Sequence, residues 1–387
     1  MQQNIDFTRI IRYFGFTLDN KSIVKKIIYL VFLLTKSLLI RLYPENSRLN
    51  VDFLFLSTTN RDDHNKLFNH IYEQCNFNKE KITFKKKYRL KLNFFLKIIT
   101  NKELINSIDD KYSNLSRFII YLQILNLLEI VKEFKSLKCN YLIVYSDVQP
   151  IEDILVQFAK FRNIKTVSLQ HGLYIEYKEY PNLNMLNYLY LKSDFFLSWG
   201  KETAQLIKKY NENIQTINCG KPIEKMEIGL RQKENHITII FDQPMFSSYN
   251  KILLEIGLEM AYMNDYKILL KLHPTDKIEN YSIDNNKIVD DRLIERSQYI
   301  LGHTSTMIYE LLVKGLQVYK LKSDIPSNKL PVELTFSSIN ELKEIIKGEH
   351  DFINIGSKYI EYIDNDSLKR YREFFEKLHD KGFVEIS

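Results

Sequence analysis

The sequence predicts an α/β chain of two doubly wound domains facing each other across a cleft. Three observations lead there. Short apolar runs alternate with segments of helical period from residue 116 onward. The runs are apolar throughout rather than alternating, as strands buried on both faces of a parallel sheet must be. The pattern lapses into the charged stretch EKMEIGLRQKEN at 224–235 and then restarts, which marks a linker between two domains.

The elements follow in order. Residues 51–56 (VDFLFL) form a strand that exits into the polar segment STTNRDDHNKL. Residues 116–135 are helical in pattern, 141–145 (YLIVY) a strand, and 151–161 a helix. Strands at 166–169, 195–198 and 214–218 continue the series, with a helix running to Tyr210 between the last two. The second series opens with a strand at 236–241, a helix at 251–263 and a strand at 267–272. Short strands at 287–289 and 298–301, a helix to Lys314, a strand at 317–320 and a helix at 339–346 follow. The expected domains are 1–225, carrying basic-apolar helices, and 235–365, with a last helix within 366–387 that can pack back on the first domain.

Composition narrows the class. Of the 387 residues, 45% are hydrophobic, enough for a large core and too many for a disordered chain. Only 11 glycines and 8 prolines occur, which excludes collagenous and low-complexity readings. Cys75, Cys139 and Cys219 form no CxxC pair, so neither a disulfide framework nor a structural zinc site is expected. The first residues lack the apolar run and small-residue cleavage site of a secretory leader, and a cytoplasmic location is expected.

The net charge of +7 favours anionic partners. Two stretches, 23–41 (IVKKIIYLVFLLTKSLLIR) and 79–97 (KEKITFKKKYRLKLNFFLK), mix cations with bulky apolar residues. The uncharged run 27–35 falls well short of the ~20 residues that span a bilayer. Either a buried, lysine-flanked helix or an interfacial helix on an anionic leaflet fits the first stretch. Neither stretch carries a recognised nucleic-acid-binding motif, and no nucleic-acid partner is expected.

Polar residues collect just past predicted strand ends, the ligand edge of a doubly wound sheet. His171, Asp242, His273 and the segment 302–306 all lie there. Thr304, Ser305 and Thr306 open a helix; one hydroxyl suffices as a cap, and three with free N–H groups suit a phosphate. Glu310, a turn further on, either reaches a ribose or faces solvent. Lys271 and His273-Pro274 end a strand, where proline stops the ladder and aims His273 outward at base or phosphate. Gln170-His171-Gly172 repeats this design in the first domain. Gly172 permits close approach, and His171 is either a general base or a histidine satisfied by backbone groups. Gly220-Lys221-Pro222 is a hinge-like turn in which Lys221 either neutralises phosphate or only links domains. Asp364-Asn365-Asp366, the one DxD match, stands at the start of the last helix as a cap rather than a metal site.

Taken in order, Leu169-Gln170-His171-Gly172, Cys219-Gly220-Lys221-Pro222, Lys271-Leu272-His273-Pro274 and Gly302-His303-Thr304-Ser305-Thr306 with Glu310 resemble the GT-B-fold glycosyltransferases of bacterial surface polysaccharides. One branch is the CDP-glycerol glycerophosphotransferases, with a tryptophan-histidine-glycine motif and a glycine–x–proline turn. The other is the sialyl- and polysialyltransferases, with a histidine-proline motif and a serine/threonine motif holding CMP. The resemblance runs from about residue 140 to about residue 320. It implies two Rossmann-like domains and transfer of a sugar from a CMP- or UDP-type donor to a capsule, lipooligosaccharide or related glycan acceptor. The nucleotide-sugar is a substrate; no cofactor and no metal are implied. His273 would contact nucleotide, Ser305 and Thr306 the phosphate, and His171 with its neighbours Gln170 and Gly172 the acceptor side. The chain lacks the acidic-acidic-glycine motif of sialyltransferases, and Asp147 is the acidic substitute. Gln170 replaces the tryptophan of the glycerophosphotransferases. The alternatives are a glycerol- or ribitol-phosphate transferase, a nucleotide-sugar 2-epimerase, and a non-catalytic membrane-associated assembly factor. The transferase reading expects a glycan or lipid-linked acceptor and an anionic inner-membrane surface as partners.

Overall fold

Strand β2 (Asn50–Leu56) shows how the first domain is built. Its side chains alternate between two cores: Phe53 and Phe55 enter one, Leu54 and Leu56 the other. Both faces are therefore covered from Phe53 to Leu56, and that half of the strand is apolar throughout. This computed structural model describes residues 5–19, 21–44, 50–88, 93–136, 138–177, 183–223, 233–274, 276–281, 291–323 and 332–381. The expected strand at 287–289, residues 382–387 and most of the charged linker at 224–235 lie outside them.

The N-terminal helices α1 (Thr8–Asp19) and α2 (Ile23–Leu39) precede β1 (Ile40–Pro44). After β2 come α3 (Asp62–Glu73), β3 (Lys79–Ile82), β4 (Phe84–Tyr88), α4 (Asn93–Thr100), α5 (Glu103–Asn106) and α6 (Asn114–Glu133). The regular alternation then follows: β5 (Lys138–Val144), α7 (Pro150–Phe161), β6 (Lys165–Leu169), β7 (Phe195–Ser198), α8 (Lys201–Tyr210) and β8 (Gln215–Asn218). These strands form a parallel sheet in the order β3-β2-β5-β6-β7-β8. The basic stretch 79–97 is not one element: β3 joins the sheet edge, while β4 pairs antiparallel with β1 in a separate ribbon. Helix α6 is apolar and long enough to cross a membrane, but it is 67% buried and forms the core under Leu54 and Leu56 with α1 and α7.

The second domain holds β9 (Glu234–Ile240), α9 (Ser247–Asn264), β10 (Lys267–Lys271), α10 (Asp291–Ile294), β11 (Ser297–Gly302), α11 (Thr306–Val313), β12 (Val318–Leu321), β13 (Thr335–Phe336), α12 (Ile339–Ile346) and α13 (Phe352–Ser357). Its parallel sheet runs β10-β9-β11-β12-β13. The chain then returns. Helix α14 (Asp364–Lys381) packs on the first sheet, where Phe375 meets Phe53 and Phe55 edge-on and the Tyr141 hydroxyl donates to Leu378 O at 2.6 Å. Asp364 and Asp366 occupy the first turn of α14, where a negative charge suits the helix dipole.

Two features fix this return. Gly220 has φ 76°, and a Cβ there would stand 2.1 Å from Tyr362 O. The Lys221 N–H donates to the same carbonyl at 2.9 Å, and the Tyr371 hydroxyl donates to Gly220 O at 3.1 Å. Gly220, expected among the donor-binding residues, is thus the place where two backbone segments touch. Elsewhere, α1 is anchored by Arg9, which is fully buried. It donates to Asp147 Oδ1 at 2.8 Å and to Tyr190 O at 2.9 Å, with Asp153 3.6 Å away.

Two substitutions test these anchors by chemical denaturation. Gly220→Ala meets both a positive φ and a backbone clash and should cost about 2–3 kcal/mol. Arg9→Met strands the buried Asp147 carboxylate and should cost about 3–5 kcal/mol.

Candidate functional site

In both sheets the first strand in the chain lies between the second and the third. Strand β2 is flanked by β3 and β5, and β9 by β10 and β11. The connections leave in opposite directions at these points, so a crevice opens beyond the carboxyl ends of β2/β5 and of β9/β11. The polar residues singled out at predicted strand ends lie along this carboxyl edge of the two sheets.

On the first wall, Thr58 leaves β2 with its N–H donating to the buried Glu152 carboxylate at 2.7 Å, which fixes the loop to α3. That loop ends at Arg61, the N-cap of α3, and His64 stands in the first turn of the helix. The His64 ring lies 5.9 Å from the His171 ring and 5.2 Å from Tyr145, centroid to centroid. His171 is half-buried at the tip of β6, with Nδ1 3.0 Å from the Tyr174 hydroxyl. When Nδ1–H donates to Tyr174, Nε2 offers a lone pair; in the other tautomer it offers a proton. Burial, then the His64 and Arg61 charges, push the His171 pKa down to about 3. Burial and Arg61 bring His64 to about 4. Both rings are neutral at ordinary pH.

Two expected residues of this wall do other work. Asp147 does not face the cleft. Its carboxylate accepts from Arg9, from the Lys192 and Ser193 N–H groups and from the Ser193 hydroxyl. Burial raises its pKa, but the Arg9 guanidinium more than offsets this and keeps it below the usual carboxylate range. A carboxylate so occupied is a counter-ion, not a proton acceptor for an incoming hydroxyl. Gln170 is fully buried: its Nε2 donates to Gly172 O at 2.8 Å and its Oε1 accepts from the Trp199 N–H at 2.6 Å. It shapes the His171 loop rather than touching an acceptor.

On the second wall Asp242 organises the exit of β11. Its Oδ2 accepts from His303 Nδ1 at 3.1 Å, from the Thr304 N–H at 2.7 Å and from the Thr304 hydroxyl. Burial raises its pKa, and these donors hold it low. Thr304 therefore has no donor left for phosphate. Ser305 is the N-cap of α11 but makes no side-chain cap hydrogen bond. Its hydroxyl and the opening N–H groups of α11 stand together at the exit of β11. Asn250 bonds the Asp242 backbone on both sides and donates to the Tyr281 hydroxyl. Tyr281 in turn donates to Asp276, whose N–H bonds His273 O at 2.9 Å. That chain of bonds sets the turn Lys271, His273 and Pro274. Burial pushes His273 down; Asp242 opposes this and Arg61 adds to it. Lys320, paired with Gly302 across the sheet, is fully buried with no partner for its ammonium among the described residues. Burial brings it to about 7, with Asp242 opposing.

The walls meet. The Leu173 N–H donates to the Thr306 hydroxyl at 3.1 Å, and a Cβ on Gly172 would stand 3.9 Å from that same oxygen. Lys221 and Glu310 form an ion pair between the domains, with the Lys221 ammonium 4.5 Å from the Trp199 ring centre. Neither is poised alone for phosphate or ribose, because each neutralises the other. Arg61 acts on His64, His171 and His273, so one cation of the first domain reaches a histidine of the second. Among the described residues no cluster of three or more histidine, cysteine or acidic side chains is placed to hold a metal.

Arg61, His64 and the organising role of Asp242 were not among the expected site residues. The signal for His64 was present: it follows a strand end within STTNRDDH, the same placement that singled out His171.

No family model matches the chain. No curated protein matches it. Solved structures do. A Listeria monocytogenes protein assigned as a UDP-N-acetylglucosamine 2-epimerase aligns with 87% of this chain and 98% of its own, at TM-score 0.53 and 12% identity. The Methanocaldococcus jannaschii UDP-GlcNAc 2-epimerase, solved with UDP-GlcNAc and UDP, aligns with 84% and 99%, at TM-score 0.50 and 15% identity. The chain spans only 57% of the length of the pneumococcal O-GlcNAc transferase GtfA, at TM-score 0.43 and 13% identity over 62% of this chain. The fold is accordingly the GT-B type, two Rossmann-like domains facing across a cleft.

Removing the shared cation tests the electrostatic reading. Arg61→Ala should raise the imidazole pKa values of His64, His171 and His273 together in an NMR titration. The folded values of His64 and His171 lie below the ordinary 6.5, so the stability they influence is full above pH 6.5 and is lost as pH falls toward 4 and 3. Arg61→Ala should shift that loss to smaller amplitude; unmoved histidines would contradict the reading.

Proposed function

We propose that this chain is a glycosyltransferase that moves a sugar from a CMP- or UDP-type donor to a capsule, lipooligosaccharide or related surface-glycan acceptor. One observation carries the proposal. The N-terminus of α11, the Ser305 hydroxyl and three neutral histidines drawn from both domains converge on the cleft, with the Arg61–Asp63 ion pair at its rim. Such a cleft suits an anion with a charged leaving group. The fold shared with an enzyme solved with UDP supports a nucleotide diphosphate in particular.

In this reading the donor phosphate sits against Ser305, Thr306 and the first N–H groups of α11, with His273 at its side. The acceptor hydroxyl approaches from the His171 wall. Its oxygen attacks the anomeric carbon as the bond from that carbon to the phosphate oxygen breaks, and the electron pair leaves with the nucleotide. Neutral His171, with Nε2 unprotonated, takes the hydroxyl proton. Negative charge growing on the leaving phosphate meets fixed N–H dipoles that need no reorganisation. The same charge raises the pKa of His171, so the base strengthens as the donor binds.

The test is binding and turnover with a panel of CMP-, UDP- and CDP-linked donors. Ser305→Ala and His273→Ala should each weaken nucleotide binding about tenfold, the loss of one hydrogen bond to a charged group. His171→Ala should leave that affinity unchanged and slow turnover about 10²–10⁴-fold. Turnover of CDP-glycerol alone would redirect the reading to a phosphotransferase. Release of an epimer without acceptor would redirect it to an epimerase. Three variants indistinguishable from wild type would remove the site assignment.

A further inference from the structure

Helix α2 leaves half of its circumference uncovered. Ile23, Val24, Ile27, Ile28, Val31 and Phe32 recur at the i, i+1, i+4 spacing of one helix face, and each is exposed, from 48% at Ile27 to 70% at Ile23. No charged residue interrupts that face. The opposite side is fastened to the domain: the Lys26 ammonium donates to the Ser116 hydroxyl at 3.0 Å, and Asn126 donates to the Ser37 hydroxyl at 2.6 Å. The helix therefore lies along α6 and cannot insert across a bilayer. Exposed lysines border the apolar face. Lys25 and Lys36 flank it on α2, and exposed Lys86 and Lys87 stand on β4, the partner of the strand β1 that directly follows α2. Register places exposed Tyr88 of β4 opposite Ile40, directly after the end of α2. Leu96 and Ile99 of α4, a helix that also packs on α6, add two more exposed apolar side chains.

We infer that this face docks the chain on an anionic lipid bilayer, with α2 lying in the interfacial plane and the lysines among the headgroups. Charge selects this occupant over a second copy of the chain. A two-fold interface sets the same patch against itself and would bring lysine rows together with no acidic partner. An anionic leaflet satisfies both halves of the patch. Position adds a consequence. Because α6 leads into β5, its N-terminal end lies at the carboxyl edge of the first sheet, and the Lys26–Ser116 bond puts the start of α2 at that level. The bilayer would then lie beside the wall that carries His171. Only this last consequence rests on the transfer reading.

Vesicle co-sedimentation without nucleotide tests the docking independently of that reading. The full chain should bind phosphatidylcholine vesicles containing phosphatidylglycerol and not phosphatidylcholine alone, with binding weakened by salt. Ile28→Glu/Phe32→Glu, at exposed positions, should keep the thermal unfolding midpoint and lose binding at least about 100-fold. Lys86→Ala/Lys87→Ala should lose about 25-fold, from about fivefold per lysine. No binding by wild type, or equal binding by the α2 variant, would overturn the inference. So would self-association in sedimentation equilibrium that the α2 variant abolishes without any vesicle binding.

Discussion

A cleft between two domains needs their relative position held, and here the hold is a backbone contact. The chain crosses from the first domain to the second at Gly220 and returns past it at Tyr362. The two segments lie so close that Gly220 has no room for a Cβ. Gly200 is packed the same way against the carbonyl of Tyr359. Helix α14 then buries Tyr371, Phe374, Phe375 and Leu378 against the first sheet, each worth about 1.5–3 kcal/mol in apolar burial. A helix that follows the second domain in sequence thus belongs to the core of the first. The contact between Leu173 and Thr306 and the Lys221–Glu310 pair are made possible by that closure.

Within the cleft, acidic groups are committed to architecture or to ion pairs, Asp63 with Arg61 among them, and neutral histidines are left facing the ligand edge. Asp147 balances Arg9 beneath the first wall, and Asp242 gathers His303 and Thr304 beneath the second. Glu310 is matched by Lys221. The histidines remain, neutral because burial and Arg61 make a further positive charge costly. That arrangement is unfavourable for a cation and favourable for an anion, which would relieve the field and let the imidazoles take up protons.

The two-domain α/β plan was legible because buried parallel strands leave continuous apolar runs, and runs such as YLIVY, FFLS and HITIIF became β5, β7 and β9. The ends of those runs also pointed to His171, His273 and Ser305, since a doubly wound sheet keeps its polar residues at one edge. What was not legible depended on pairing. Nothing local to Asp147 reveals that Arg9, 138 positions away, occupies it. Nothing local to Thr304 reveals that Asp242 takes both of its donors. The antiparallel ribbon of β1 and β4 was missed because lysine-rich FKKKY carries no buried-strand pattern. The identity of Gly220 as a point of backbone contact needed Tyr362, which lies far along the chain.

The central claim is that the cleft is an anion site whose histidines are held neutral until an anion arrives. Calorimetry of UDP and CMP binding, run at pH 5.5 in buffers of different ionisation enthalpy, measures the protons exchanged on binding. The account predicts net proton uptake at pH 5.5 that vanishes at pH 8 and shrinks when His171 and His64 are replaced. Binding with no proton uptake at either pH, or no binding of any nucleotide, would contradict it.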